Sequence, residues 1–213
     1  EFRRVLFRSR DFAGVTEIGY GNTLLVVGAQ LGIKSVKELI TFSQANSARA
    51  FYSSPGMGTA NYLNAERFRR AAGINAQHVG YKGETEALLE VAAGRVTFTS
   101  SSIAAVPLVR QGKLVALAQR FQYLPGVPLI ADVVPAWTRI GSQLMLAPAG
   151  TPLAIRQQIS REVARVLALP DIQSRFHDMG FRAMPNSPTE CEHNLHSEIA
   201  MLTRLVREIG LRK

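Results

Sequence analysis

Two hydrophobic periodicities alternate along this 213-residue chain. Short apolar runs bounded by turn residues fall at 23–27, 48–53, 77–79, 96–99, 114–118 and 143–146 and read as β-strands. Between them, apolar residues recur at helical spacing. Ser35-Val-Lys-Glu38 has the form of a capping box, in which the serine oxygen accepts from an orphan backbone N–H and the glutamate reaches back; it predicts a helix over about 36–46. Thr151-Pro152 sets an N-cap hydroxyl before a proline whose missing N–H costs nothing there, and Ile155, Ile159, Val163 and Val166 carry a helix to about 168. Ser187-Pro188-Thr-Glu190 combines both devices and opens a long amphipathic helix through Leu195, Ile199, Leu202, Leu205, Val206 and Ile209, closed by Gly210. Segments 59–72, 84–93, 102–111 and 171–179 each end near a glycine (Gly73, Gly94, Gly112, Gly180), as helices with a left-handed C-cap do. This alternation implies an α/β layer fold with a largely parallel sheet, whose ligands lie beyond the carboxyl ends of the strands. Segment 122–135, with three prolines and little helical period, reads as a connector and a candidate boundary.

Three polar loops follow predicted strands. In the first, Phe51-Tyr-Ser-Ser-Pro-Gly-Met-Gly-Thr59, a strand runs into a flexible loop and then a helix capped by Thr59, leaving backbone N–H groups at Gly58, Thr59 and Ala60 free to grip an anion. Gly56 and Gly58 let the backbone approach a ligand, and the hydroxyls of Ser53, Ser54 and Thr59 add donors. Each bond to a carboxylate is worth roughly 1.5–3 kcal/mol, so a few of them reach the scale of micromolar binding, about 8 kcal/mol. The same residues also suit a plain strand-to-helix turn. In the second loop, Gly80-Tyr-Lys-Gly83, Tyr81 can wall a pocket, Gly83 frees the backbone, and Lys82 either attracts anions or is simply solvated. In the third, Thr99, Ser100, Ser101 and Ser102 either cap the helix that follows or bind ligand.

Other chemistry is sparsely represented. The chain contains no Gly-x-Ser-x-Gly elbow, His-Glu-x-x-His helix or phosphate-binding P-loop, and Gly56-Met-Gly58 lacks the third glycine of a dinucleotide fingerprint, so no cofactor is indicated. His193 and His196, beside the single Cys191, match no standard zinc spacing and read as a solvated helix face, while His78 and His177 stand alone. With 46% hydrophobic and 19% charged residues the chain is globular in composition, and no apolar run approaches the roughly 20 residues that cross a bilayer. The net charge is +9, of which residues 1–10 supply four arginines and one glutamate. Val5-Leu-Phe-Arg-Ser9 resembles the translation of a sequencing adapter, and residues 1–10 are read as a leader foreign to the fold and unlike a secretory signal. Apart from Arg67-Phe-Arg-Arg70, the arginines alternate with Glu66, Glu162, Glu198 and Glu208, so nucleic acid is not the expected partner; the positive balance suits small acids instead.

Taken in order, Ser35-Val-Lys-Glu-Leu-Ile40, Tyr52-Ser-Ser-Pro-Gly-Met-Gly-Thr59, Gly80-Tyr-Lys-Gly83, Gly112-Lys-Leu-Val-Ala-Leu-Ala118 and Ala147-Pro-Ala-Gly-Thr-Pro152 resemble the tripartite tricarboxylate transporter substrate-binding proteins, the Bug family, from about residue 15 onward. The resemblance implies a two-lobed periplasmic-binding-protein (type II) α/β fold with mixed, mostly parallel sheets, the first lobe incomplete. It implies a monomeric, periplasmic receptor rather than an enzyme. That receptor closes its two lobes on a small di- or tricarboxylate and hands it to membrane permease subunits. The division it implies is 11–28 with 137–213 as part of lobe 1, and 29–136 as lobe 2. The family's ligand loops map onto Gly56, Gly58 and Thr59, and onto Tyr81, Lys82 and Gly83; Thr99, Ser100 and Ser101 complete the expected site with Ser53 and Ser54. Two departures stand out: Tyr62 where many members have histidine, and the hydroxyl run 99–102 where many have aspartate. The front of the chain matches neither a signal peptide nor the first half of lobe 1, which leads us to expect truncation and weakened binding. An enzyme holding a phosphate- or carboxylate-bearing substrate on the same loop is the alternative.

Overall fold

A computed structural model describes residues 9–137 and 141–211. Residues 1–8 of the expected leader lie outside that range; Ser9–Asp11 form a turn of 3-10 helix. In chain order the described elements are β1 (Phe12–Gly21), β2 (Leu24–Gly28), α1 (Val36–Ala45), β3 (Phe51–Ser54), α2 (Ala60–Ala71), β4 (Gln77–Gly80), α3 (Glu84–Ala92), β5 (Phe98–Ser101), α4 (Val106–Arg110), β6 (Leu114–Gln119), α5 (Ile130–Val133), β7 (Ser142–Pro148), α6 (Leu153–Leu167), α7 (Pro170–Asp178), β8 (Phe181–Ala183) and α8 (Pro188–Glu208). They fall into two compact units, residues 1–20 with 141–213, and residues 21–140.

The unit of residues 21–140 is built on a five-stranded sheet of order β4-β3-β5-β2-β6. β3 runs parallel to β4 and β5, whereas β2 runs antiparallel to both β5 and β6, so the expected parallel pairing holds in one half of a mixed sheet. β2 is its buried spine: Leu24, Leu25, Val26 and Val27 are all fully covered. Such a strand, buried on both faces, reads as a continuous apolar run. Its pairing also moves residues 21–28 into this unit, where the expected division had grouped 11–28 with the other. On one side of the sheet Leu24, Val26, Leu88, Val91, Val106 and Leu114 form a core. On the other, Phe68 of α2 meets Phe98 edge-on at 5.5 Å and Trp137 at 5.3 Å.

Segment 122–135 is no boundary. Gln119, fully buried, donates through Nε2 to the carbonyls of Leu124 and Val127, both at 2.8 Å, and accepts at Oε1 from the amides of Tyr123 (2.9 Å) and Leu124 (2.8 Å). One carboxamide thus satisfies four backbone groups and folds the proline-rich loop back onto the sheet, with Leu124 and Ile130 buried beneath it.

The other unit carries a three-stranded sheet of order β7-β1-β8 with α6, α7 and α8. β1 was not legible in the sequence pattern: it is interrupted by glycines, its pairing with β7 slips between Gly14 and Thr16 and again between Glu17 and Gly19, and residues 13–17 are buried without alternation. Gly14 lies so close to α8 that an added Cβ would meet Glu192 Cγ at 2.9 Å and Cys191 Sγ at 3.1 Å. Arg156 of α6 bridges the same place, donating to the Gly14 carbonyl (2.8 Å) and pairing with Glu192 (2.7 Å). The capping box at Ser187 forms in full, with Glu190 returning to the Ser187 amide. At Ser35 the serine caps the Glu38 amide, but Glu38 reaches the Lys34 amide instead. Thr151 does not cap α6: the helix starts at Leu153 with Pro152 in the cap position, so its hydroxyl sits one residue too early.

Candidate functional site

Strand register decides which hydroxyls can meet a ligand. Tyr52 pairs with His78 and Phe98, Ser53 with Val79 and Thr99, and Ser54 with Gly80. Side chains alternate across a strand, so Tyr52, Ser54, His78, Phe98 and Ser100 share the face covered by α2, while Ser53, Thr99 and Ser101 share the face covered by α3. On the α3 face the hydroxyls are used internally. Ser53 Oγ donates to the Ala87 carbonyl (3.1 Å) and Thr99 Oγ1 to the Ser53 carbonyl (2.7 Å). Ser101 Oγ donates to Glu84 (2.7 Å).

Glu84, which sequence reasoning did not single out, fills the third loop itself. Its carboxylate accepts from the Ser102 amide (2.7 Å), Ser101 Oγ (2.7 Å), Asn61 Nδ2 (3.0 Å) and Ser102 Oγ (3.1 Å), joining the starts of α2 and α3 to the end of β5. Burial pushes its carboxyl up, but the bonds from Ser101, the Ser102 amide and Asn61 outweigh this and hold it below the ordinary carboxylate range. The Ser102 hydroxyl caps the following turn by accepting from the Ala104 amide (3.1 Å). The chain's own anion therefore already fills this loop.

The α2 face is different. After Ser54 the backbone turns through Gly56 (φ +127) and Gly58 (φ +85), conformations that favour glycine, and a Cβ at either position would meet open space. Thr59 caps α2: its hydroxyl accepts from the Tyr62 amide (3.3 Å) and donates to the Gly56 carbonyl (2.8 Å), while its own amide makes a long bond to the same carbonyl (3.4 Å). The Thr59 side chain and amide are thus spent on the turn. The amides of exposed Gly58 and Ala60 have no acceptor among the described residues. Ser100 Oγ, in a residue 1% exposed, is likewise without a partner among them. A buried unpaired hydroxyl is costly, so this one is conspicuous. Two amides at a helix N-terminus, with the positive end of its dipole, make an anion-receiving corner open to solvent.

Behind this corner lies a network that the sequence did not reveal. Ser54 Oγ accepts from the Gly56 amide (3.1 Å) and sits 2.8 Å from His78 Nε2. His78 packs against Tyr52 (ring centroids 5.1 Å) and edge-on to Tyr62 (4.7 Å), so it does not stand alone. Its pairing with Ser54 spans 24 positions and arises only from the β3–β4 register. Burial lowers the His78 pKa, with Glu66 opposing. Tyr52 donates to Glu66, which also holds Arg69 bidentately at 3.0 Å and lies 3.6 Å from Arg70. Burial raises the Glu66 carboxyl, yet the bonds from Arg69 and Tyr52 leave it below its usual range. Ser54 is fully buried.

The second loop opens α3. Lys82 is exposed and its amide donates to Glu86 (3.1 Å); Gly83 occupies the N-cap position in extended conformation. Tyr81 packs against the core on the α3 side, its hydroxyl bonded to Glu90, and burial followed by Glu90 raises its pKa. A cavity of about 430 Å³ in the same unit lies elsewhere, between α1 and β6, bordered by Lys34, Val36, Ile40 and Leu117, and includes none of the expected ligand residues. Among the described residues no group of three His, Cys, Asp or Glu side chains could hold a metal ion, and no helix is long and apolar enough to cross a membrane. His193 and His196 are exposed on α8, whereas Cys191 is buried.

This mixed α/β architecture is that of periplasmic solute-binding structures. A TctC solute-binding protein from Polaromonas, solved without ligand, superposes with a TM-score of 0.80 at 18% identity, covering 96% of this chain and 72% of that one. R. palustris Rpa4515, solved with adipate, gives a TM-score of 0.73 at 27% identity, covering 98% and 72%. The family described as "Tripartite tricarboxylate transporter family receptor" matches residues 1–211, and the chain belongs to it. A UPF0065 protein of Bordetella bronchiseptica is 24% identical over 208 residues, which cover 95% of this chain but 62% of the relative's length.

Proposed function

We propose that this chain is the carboxylate-binding portion of a periplasmic receptor, which captures a small di- or tricarboxylate at the N-terminus of α2 and delivers it to the permease subunits of a tripartite tricarboxylate transporter. The observation that carries this reading is the pair of exposed amides at the start of α2, Gly58 and Ala60, with no acceptor among the described residues. Membership of the receptor family supports it, as does the adipate held by the Rpa4515 structure. In this reading the two compact units belong to the two lobes of the receptor, the exposed amides of Gly58 and Ala60 meet the ligand, and Ser54, Gly56 and Thr59 shape the turn that presents them. Ser53, Thr99 and Ser101 support the sheet beneath.

Ala60→Pro tests the reading cleanly. Ala60 is the first residue of α2, where proline is well tolerated, and Thr59 before it is already extended (φ −70, ψ 159). The substitution deletes one ligand-facing N–H without cost to the helix. Calorimetric titration with adipate should show about tenfold weaker binding at unchanged thermal stability, the worth of one charge-assisted bond. Unchanged adipate affinity removes this corner from the site.

A further inference from the structure

Ser54 stands between the ring of His78 and the peptide of Gly56, and its single proton cannot serve both. Its oxygen accepts from the Gly56 amide (3.1 Å); the proton can go to His78 Nε2 (2.8 Å) or to the Gly56 carbonyl (3.2 Å). With a neutral ring whose Nε2 is unprotonated, the shorter contact takes the proton. Once the ring is charged, Nε2–H itself donates to Ser54, and the serine proton must turn to the Gly56 carbonyl. That carbonyl already receives the Thr59 hydroxyl (2.8 Å) and, at 3.4 Å, the Thr59 amide. The extra bond closes the glycine loop from which the Gly58 and Ala60 amides project.

We propose that His78 is a positioning residue for the α2 corner: its protonation redirects the Ser54 hydroxyl onto the Gly56 peptide, tightens the loop, and adds a positive charge behind it, so that carboxylate capture strengthens on acidification. This rests on the carboxylate-receptor reading above. The groups facing His78 agree with that direction. From β3 it meets Tyr52 and Ser54; from α2 it meets Tyr62 and feels Glu66, whose negative charge is paired with Arg69 and Arg70. Glu66 gives a charged ring some support without holding it permanently protonated, and burial keeps the ring neutral until the medium turns acid. By linkage, a carboxylate bound at the corner draws a proton onto His78 to the same extent that the proton improves binding.

Two arms test the inference. In the ligand-free chain, the amide resonances of Gly56 and Gly58 are followed by NMR from pH 5 to 8 alongside the His78 ring. They should move with the ring's midpoint, and His78→Gln, which can still bond Ser54 but cannot titrate, should abolish that movement. Adipate is then titrated at pH 6 and pH 8. The native chain should bind at least about fivefold more tightly at pH 6, with proton uptake seen in buffers of different ionisation enthalpy, and His78→Gln should bind equally at both. Amides that stay still while His78 titrates, or that still move in His78→Gln, overturn the inference and leave the receptor reading standing. Amides that follow His78 in a chain that fails to bind adipate at either pH overturn the receptor reading and with it the acid-strengthened capture.

Discussion

At the scale of single residues, Glu84 and Ser100 show opposite states of one chemistry. Glu84 is a carboxylate with four donors, and Ser100 is a donor with no acceptor among the described residues. Glu84→Gln keeps an acceptor oxygen for Asn61, Ser101 and the Ser102 amide, which all meet on Oε1, but removes the charge that strengthens those bonds and turns an N–H₂ toward the Ser102 hydroxyl, so the variant should lose about 1 kcal/mol of stability in urea unfolding. The pH profile has a definite sign. Glu84 and Glu66 have folded pKa values below their ordinary ones, so their contribution is full above about 4.5 and disappears as pH falls through the folded values; His78, also depressed, favours the neutral form and adds to the loss below about 6.5. The urea midpoint should therefore fall from pH 7 toward pH 3, with a shallower acid limb in Glu84→Gln. The hydroxyl-rich loops were visible in the sequence, but the roles of individual hydroxyls were not. Ser53 and Ser54 are neighbours of the same chemistry, and a register involving residues more than twenty positions away sends one to a helix carbonyl and the other to the His78 ring.

At the scale of elements, caps were the most readable signals. Ser187 and Thr59 start helices because their side chains satisfy N-terminal amides locally, and local chemistry is what a sequence states directly. β1 depends on distant partners instead: its glycines are explained by α8 lying against it and by two slips in pairing, neither of which leaves a periodic trace. Gly14→Ala, in a backbone conformation that alanine can adopt, should still cost about 1–3 kcal/mol, since its Cβ would press on Glu192 and Cys191. Thermal unfolding would show it.

At the scale of the whole molecule, large apolar side chains are distributed unevenly. Leu146, Leu153, Ile155, Ile159, Val166, Leu169, Met179 and Met184, all in the unit of residues 141–211, are substantially exposed, against Met57, Leu89 and Val133 in the other. The stripe that made α6 so easy to read in the sequence is thus only partly covered: the helix's buried positions are Ser160 and Leu167. Ile159→Lys should change stability by less than about 0.5 kcal/mol and reduce binding of a hydrophobic dye, whereas Leu167→Ala should cost about 2–5 kcal/mol.

The clasp built by Gln119 and the hub built by Glu84 secure different loops of one sheet with the same number of bonds, but a carboxamide has no proton to gain where a carboxylate does. Acid therefore reaches the sheet unevenly. Well below the ordinary carboxylate range it frees the Ser101, Ser102 and Asn61 groups that meet on Glu84 at the end of the central strand, while the proline-rich loop after β6 stays shut, so the two ties of one sheet part company only in strong acid.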